Sequence, residues 1–323
     1  MTTDPLSGYV ARWLLPVMGI SGRTFTAEPP ASPGTRSRLR VVRIEGMPPL
    51  LLRAFSLRRQ AVKNAEALRH LDALGLAAPR LVAHDLSARP GRIFRAEDAD
   101  PFVTVETWIE GTPHAELKEK AFASEQTLQV ARVLARWHAV TRQSWGRPSG
   151  QRFRSFPSYT LLGVRRMTRA LGARGWLAEA ESRRLWQRFG AWQDVLGALD
   201  VFSLVHNDAN RHNFVLTPGG EMVPVDLHRV SYEPFAEEVV NASYHFCRKD
   251  AALEQRFLET YFEHADAAAR ETWEATRGFF EPLNYLKKMY RRAESLKAPC
   301  EDARMQAWRA TVEGITAPAR TRR

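Results

Sequence analysis

Cysteine is nearly missing from this chain: Cys247 and Cys300 are the only two in 323 residues. Two thiols cannot build a disulfide framework or a cysteine-rich metal centre, and the scarcity fits a reducing, cytoplasmic setting. Long apolar runs are missing as well. Residues 13–20, WLLPVMGI, form the longest stretch of that kind, far short of the roughly 20 residues that cross a bilayer. The N-terminal segment has no basic stretch before its apolar residues and no small-residue cleavage site, so no signal peptide is expected. Internal repeats, zinc-ligand spacings and nucleic-acid motifs are also lacking.

What is present is an ordinary globular composition, 44% apolar and 26% charged, in a chain long enough for one large domain or two lobes of about 100–200 residues. The net charge is +11. Arginine supplies most of it, concentrated in residues 147–188 and 287–323. Such a field attracts an anionic small substrate, a glycolipid or an anionic membrane surface, and contact with the inner face of a membrane is one expectation from it. The bland alternative is a set of solvated helix faces. Nucleic acid is not expected, since charge is its only support.

Periodicity divides the chain. Residues 27–37 (AEPPASPGTRS) read as a loop. Strands follow at 38–44 and 50–55, then a helix at 58–74 with Val62, Ala65, Leu68 and Leu71 on one face. Further strands are predicted at 80–85, 92–95 and 102–109. After Glu110-Gly111-Thr112-Pro113 the pattern turns helical, with Ser124 placed to cap the next helix. One β-rich interruption, 202–226, breaks the helical half. The expectation is an α+β, two-lobed fold: a β-rich nucleotide-binding lobe at 1–109 and a helical catalytic and acceptor-binding lobe at 110–323.

The chemistry-bearing residues fall in that interruption. Residues 206–213 read HNDANRHN, an H-x-D-x-x-x-x-N pattern with the spacing of a kinase catalytic loop. Phosphoryl transfer needs a carboxylate beside the attacking hydroxyl, and Asp208 suits that task. It also needs hard oxygen ligands for Mg²⁺ on the phosphates. Asn213 is one candidate. A short strand, a Thr217-Pro218-Gly219-Gly220 turn and a return strand bring a second carboxylate, Asp226, back beside it. His206 and His138 read as structural histidines. Glu237 and Glu238 read as favourable charges at a helix start.

Together LVHNDANRHNFVL and PVDLHR resemble the aminoglycoside phosphotransferase and choline kinase-like family, of protein-kinase-like fold. LARWHAV, VETWIEGTP and the strand LLLRAF match it too, so the resemblance spans residues 35–250. It implies an ATP- and Mg²⁺-dependent phosphotransferase with Asp208 catalytic and Asn213 and Asp226 binding the metal. It further implies that Arg53 contacts phosphate in place of the usual lysine, and that the linker with Glu106 and Trp108 lines the adenine site. Gly34, Thr35 and Ser37 are the candidates for a phosphate-cradling loop with a single glycine. The family's helix glutamate, the usual partner of the lysine, falls on Asn64. Glu66 lies about 200° further round the helix. DLHR, residues 226–229, resembles bacterial lipopolysaccharide core kinases, which implies an anionic sugar acceptor. The rival reading is a kinase-fold protein that binds nucleotide or a partner without catalysis, favoured by Arg53, Asn64 and the sparse glycines.

Overall fold

The computed structural model describes residues 5–30, 38–87, 102–151, 155–248, 250–296 and 302–315. Gly34, Thr35, Arg36 and Ser37, the strand expected at 92–95, and Cys300 lie outside these residues. In chain order the elements are α1 (Pro5–Tyr9), a π-helical turn (Val10–Leu14), α2 (Leu15–Val17), β1 (Phe25–Glu28), β2 (Arg38–Ile44), β3 (Leu50–Phe55), α3 (Arg58–Ala73), β4 (Leu81–Asp85), β5 (Phe102–Thr107) and β6 (Thr112–Pro113). A 3₁₀ turn (His114–Glu116) leads to α4 (Lys120–His138), β7 (Thr141–Arg142), β8 (Gly146–Arg147), β9 (Gly150–Gln151), α5 (Phe156–Ala173), α6 (Glu179–Gly190) and α7 (Gln193–Gly197). Then come β10 (Phe202–Val205), β11 (Phe214–Leu216), β12 (Met222–Pro224), β13 (Ser231–Glu233), α8 (Phe235–Cys247), α9 (Ala251–His264), α10 (Ala267–Leu296) and α11 (Ala303–Glu313).

Contacts divide the chain into two compact units, Met1–Glu119 with Arg211–Val230, and Lys120–Asn210 with Ser231–Arg323. A cut at residue 109/110 would instead leave the β11–β12 hairpin wholly with the helical part. The hairpin joins the first unit because β11 pairs with β6, Val215 opposite Pro113 and Leu216 opposite Thr112.

The first unit is built on an antiparallel sheet of order β1-β2-β3-β5-β4. Strand β3, central between β2 and β5, is buried along its whole length. One side of the sheet packs against the N-terminal helical segment, where Leu6, Tyr9, Val10, Leu14 and Leu15 meet Val42, Leu52, Ala54, Val103 and Val105. That contact occupies the apolar face of residues 9–20. Helix α3 also packs on the sheet, burying Ala61, Asn64, Ala65, Leu68 and Leu71.

The second unit is helical around a small sheet of order β7-β10-β13-β8-β9. Its core is aromatic: Trp137, Phe189, Phe257, Tyr261, Phe279 and Phe280 are fully buried. Helix α4 begins at Lys120, so Ser124 does not cap it. The Ser124 hydroxyl instead donates to Lys120 O at 2.9 Å within the helix, the back-bonding that hydroxyl residues adopt when an upstream turn continues the helix. No described helix is long and apolar enough to cross a membrane.

Candidate active site

In the second unit β10 delivers the chain into residues 206–210. His206 is fully buried and lies against Trp137, ring centroids 6.1 Å apart. Its Nδ1 accepts from the Asp208 backbone N–H at 3.2 Å, so that nitrogen carries no proton and the ring closes the turn from inside. Asn207 adopts a left-handed backbone, φ +63°, which Asn tolerates better than most residues. The Asn210 amide donates to Asp208 O at 3.0 Å and to Asp208 Oδ1 at 3.4 Å. The Asn241 amide, from α8, donates to Ala209 O at 3.2 Å.

The loop is tied down by Glu238. Its carboxylate accepts the backbone N–H groups of His206, 2.8 Å, and Asn207, 2.6 Å, and a bond from His138 Nε2, 3.0 Å. His138 Nδ1 in turn meets the Tyr261 hydroxyl at 2.8 Å. Burial, with Glu238 and Asp266 nearby, raises the Tyr261 phenol well above its ordinary value. Tyr261 therefore stays protonated and donates to Nδ1, leaving Nε2–H to donate to Glu238. Burial opposes the charge on Glu238, but the hydrogen bonds from His138 and from the His206 backbone prevail and hold its carboxyl below the glutamate range.

In the first unit the β11–β12 hairpin pairs Phe214 with Pro224, and the Val225 N–H donates to Asn213 O at 2.9 Å. The next residue, Asp226, takes φ +64°. A non-glycine residue in this region costs on the order of 1 kcal/mol or more, and the surroundings hold Asp226 there. Its Oδ1 accepts from Arg53 Nη1 and from His228 Nδ1, both at 2.9 Å.

Arg53, 5% exposed, bridges two carboxylates. Besides Asp226 it donates from Nη2 to Glu106 Oε1 at 3.3 Å. Asn64 completes the group, its amide donating to Glu106 Oε2 and Thr104 Oγ1, both at 3.0 Å. The acid that pairs with Arg53 thus comes from β5, while α3 supplies an amide that braces it. Glu66, on another face of α3, does not join the group, and its Oε2 is buried without a hydrogen-bond partner. Burial opposes the Arg53 charge, yet Glu106 and Asp226 raise its pKa further. Removing one side of so buried a pair typically costs about 3–5 kcal/mol.

The place of Glu106 in the fold is set by strand β5. Its backbone lies inside the sheet, opposite Leu51 on β3 and Leu81 on β4, and its side chain is taken by Arg53 and Asn64. Trp108 lies beyond the strand, half-buried, with its N–H on Pro49 O at 3.0 Å. Asn213 and Asp226 together offer one amide and one carboxylate oxygen. That donor set fits Mg²⁺, a hard cation that keeps most of its shell as water and phosphate oxygen. Among the described residues no group of three or more His, Cys, Asp or Glu side chains is arranged to hold a metal.

Residues 30–279 match the model of the phosphotransferase enzyme family, APH. The chain belongs to that family. It is an enzyme, a kinase of the phosphotransferase class. Among curated proteins no significant match is found. Solved structures similar to this phosphotransferase include aminoglycoside phosphotransferase APH(4)-Ia, with a TM-score of 0.62 at 15% identity over 96% of this chain and 98% of that one. The ethanolamine kinase of Plasmodium vivax scores 0.60 at 11% identity, covering 95% and 86%. Choline kinase LicA of Streptococcus pneumoniae scores 0.57 at 12%, covering 96% and 99%. At these identities the likeness is one of fold, the protein-kinase-like fold expected from the loop spacing.

Two parts of the phosphotransferase site escaped sequence reasoning. One is the pairing of Glu106 with Arg53, whose signal was the alternation Thr104-Val105-Glu106: two polar residues on one face of β5, Thr104 opposite Arg53 and Glu106 diagonal to it. The other is the brace from Glu238 to His138 and Tyr261, joined across 100 and 123 residues of chain, which no local pattern encodes.

Proposed function

We propose that this phosphotransferase uses Mg-ATP to phosphorylate a hydroxyl group of a small non-protein acceptor. The observation that carries the reading is Asp226, held in a left-handed conformation at the end of the hairpin and fastened to Arg53 and His228. Strained backbone held by its surroundings in this way clusters at active sites and ligand clamps. A ternary complex of APH(4)-Ia with ADP and hygromycin B is known, which supports nucleotide and small-molecule acceptor for a relative of this fold.

In this reading the Asp208 carboxylate accepts the hydrogen bond, then the proton, of the acceptor hydroxyl. The hydroxyl oxygen bonds to the γ-phosphorus as the bond from that phosphorus to the β,γ-bridging oxygen breaks, and ADP leaves with the electron pair. Mg²⁺, when bound, would supply neutralisation of the phosphate oxygens. Asn213 and Asp226 provide its protein oxygens, and Glu238 fixes the backbone that aims Asp208. Arg53, with both Nη atoms on carboxylates, positions Asp226 and adds positive charge near the phosphates. The arginine-rich balance favours an anionic acceptor, and the DLHR resemblance points toward an anionic sugar.

The test is an acceptor panel read by ADP release, on wild type and Asp208→Asn. Asp208→Asn should abolish release, at least about a thousandfold, while keeping the wild-type circular dichroism spectrum. Near-normal turnover in that variant removes Asp208 from the chemistry. Nucleotide binding with no ADP release from any acceptor favours the non-catalytic rival.

A further inference from the structure

The strongest unused feature lies between α8 and α10 of the second unit. Half-buried Lys288 on α10 has its Nζ 3.8 Å from the centre of the Tyr244 ring, 3.3 Å from His245 Nε2 and 3.4 Å from Asn241 Oδ1. Two neighbouring cations on α10 are paired, Lys287 with Glu237 and Arg292 with Asp302 at 2.7 Å. Lys288 has no carboxylate partner among the described residues. Tyr285 stands against Tyr244 edge to face, centroids 5.8 Å apart. Asn241, which touches the Lys288 ammonium, is the residue whose amide holds Ala209 O. The ammonium therefore lies within about 9 Å of the carbonyl that follows Asp208.

A largely desolvated ammonium without a counter-charge is costly. Burial, and the charge of Arg291 behind it, push the Lys288 pKa down to about 7. The core does not need this cation, since its partners are a ring face, an imidazole and an amide that apolar contacts could replace. An anion arriving there would offset the desolvation and gain charge-assisted bonds.

We propose that Lys288, with His245, Tyr244 and Asn241, binds an anionic group of the acceptor, a phosphate or carboxylate, and so orients its hydroxyl toward Asp208. The proposal rests on the reading of Asp208 as the base and deepens it to a substrate class. It places acceptor recognition on α8 and α10, within the part of the chain expected to bind the acceptor.

Two arms test it. In the first, thermal unfolding of the full chain at saturating Mg-ADP is followed against inorganic phosphate and acetate, for wild type, Lys288→Met and Lys288→Arg. Wild type and Lys288→Arg should gain stability with the anion, and Lys288→Met should not. Without anion at neutral pH, Lys288→Met should melt no lower than wild type, because an uncompensated cation has gone. Equal anion responses in all three, or a clear loss of stability in Lys288→Met alone, overturn the proposal and make Lys288 a structural tie. In the second arm, acceptor pairs differing only by one phosphate or carboxylate are compared by ADP release. The anionic member should be preferred, and Lys288→Met should raise its KM about 10- to 100-fold, more than it lowers kcat. Preference for the neutral member overturns the proposal. Where no acceptor turns over, the first arm decides alone. Failure of the Asp208 reading is separable, because it shows as turnover in Asp208→Asn whatever the anion response.

Discussion

At the scale of single residues, the site depends on acids that hold other groups in place. Glu238 accepts three hydrogen bonds in a buried position, and a glutamine there would turn an N–H₂ group toward backbone N–H donors. Glu238→Gln should therefore cost about 2–4 kcal/mol at neutral pH, measured by urea unfolding, and reduce turnover through the loop that carries Asp208. The sign with pH is fixed by the lowered carboxyl. The stabilisation is complete above about pH 5, past the ordinary glutamate value, and is lost as the pH falls through the lowered one. The variant should show a flatter acid limb, and equal stabilities at pH 7 would remove Glu238 as the anchor. Glu106 shows the same principle in the first unit. A buried arginine needs its acid within reach, and β5 presents one diagonally across from Arg53 where α3 presents an amide.

At the scale of elements, close approach of backbones decides what the hairpin can tolerate. Gly111 has φ +151°, and a Cβ built on it would lie 2.1 Å from Leu216 O and 2.8 Å from Val215 Cγ1. The contact is with β11 backbone, which cannot swing aside while β6 stays paired to it. Gly111→Ala should lower stability by about 3 kcal/mol and weaken Mg-ATP binding, since β11 follows directly from Asn213. Unchanged melting and unchanged nucleotide response would show that β6 pairing is dispensable. Elements dominated by local pattern were legible: β2 and β3 have the bounds read from the sequence, 38–44 and 50–55. Ser124 was misread because a capping residue looks the same whether a helix begins there or one turn earlier. The two-residue strands β6 to β9 have no periodicity to read and exist only through their partners.

At the scale of the whole molecule, ligand binding should register as global stability. Saturating Mg-ATP, at about 100 times its dissociation constant, should stabilise by roughly 2.7 kcal/mol, several degrees in melting temperature. Asp226→Ala should remove the magnesium-dependent part. A shift indifferent to magnesium and to Asp226 would detach the hairpin carboxylate from nucleotide binding. By itself the sequence determined the α+β class and the kinase-like loop and hairpin from which Asp208, Asn213 and Asp226 are proposed as the site, because spacing along a short loop and hairpin is a local property. Only the tertiary structure decided which acid faces Arg53, what holds the loop from behind and which lysine is left without a counter-charge. Those are properties of side chains brought together from distant segments by burial, and burial is a property of the packed fold.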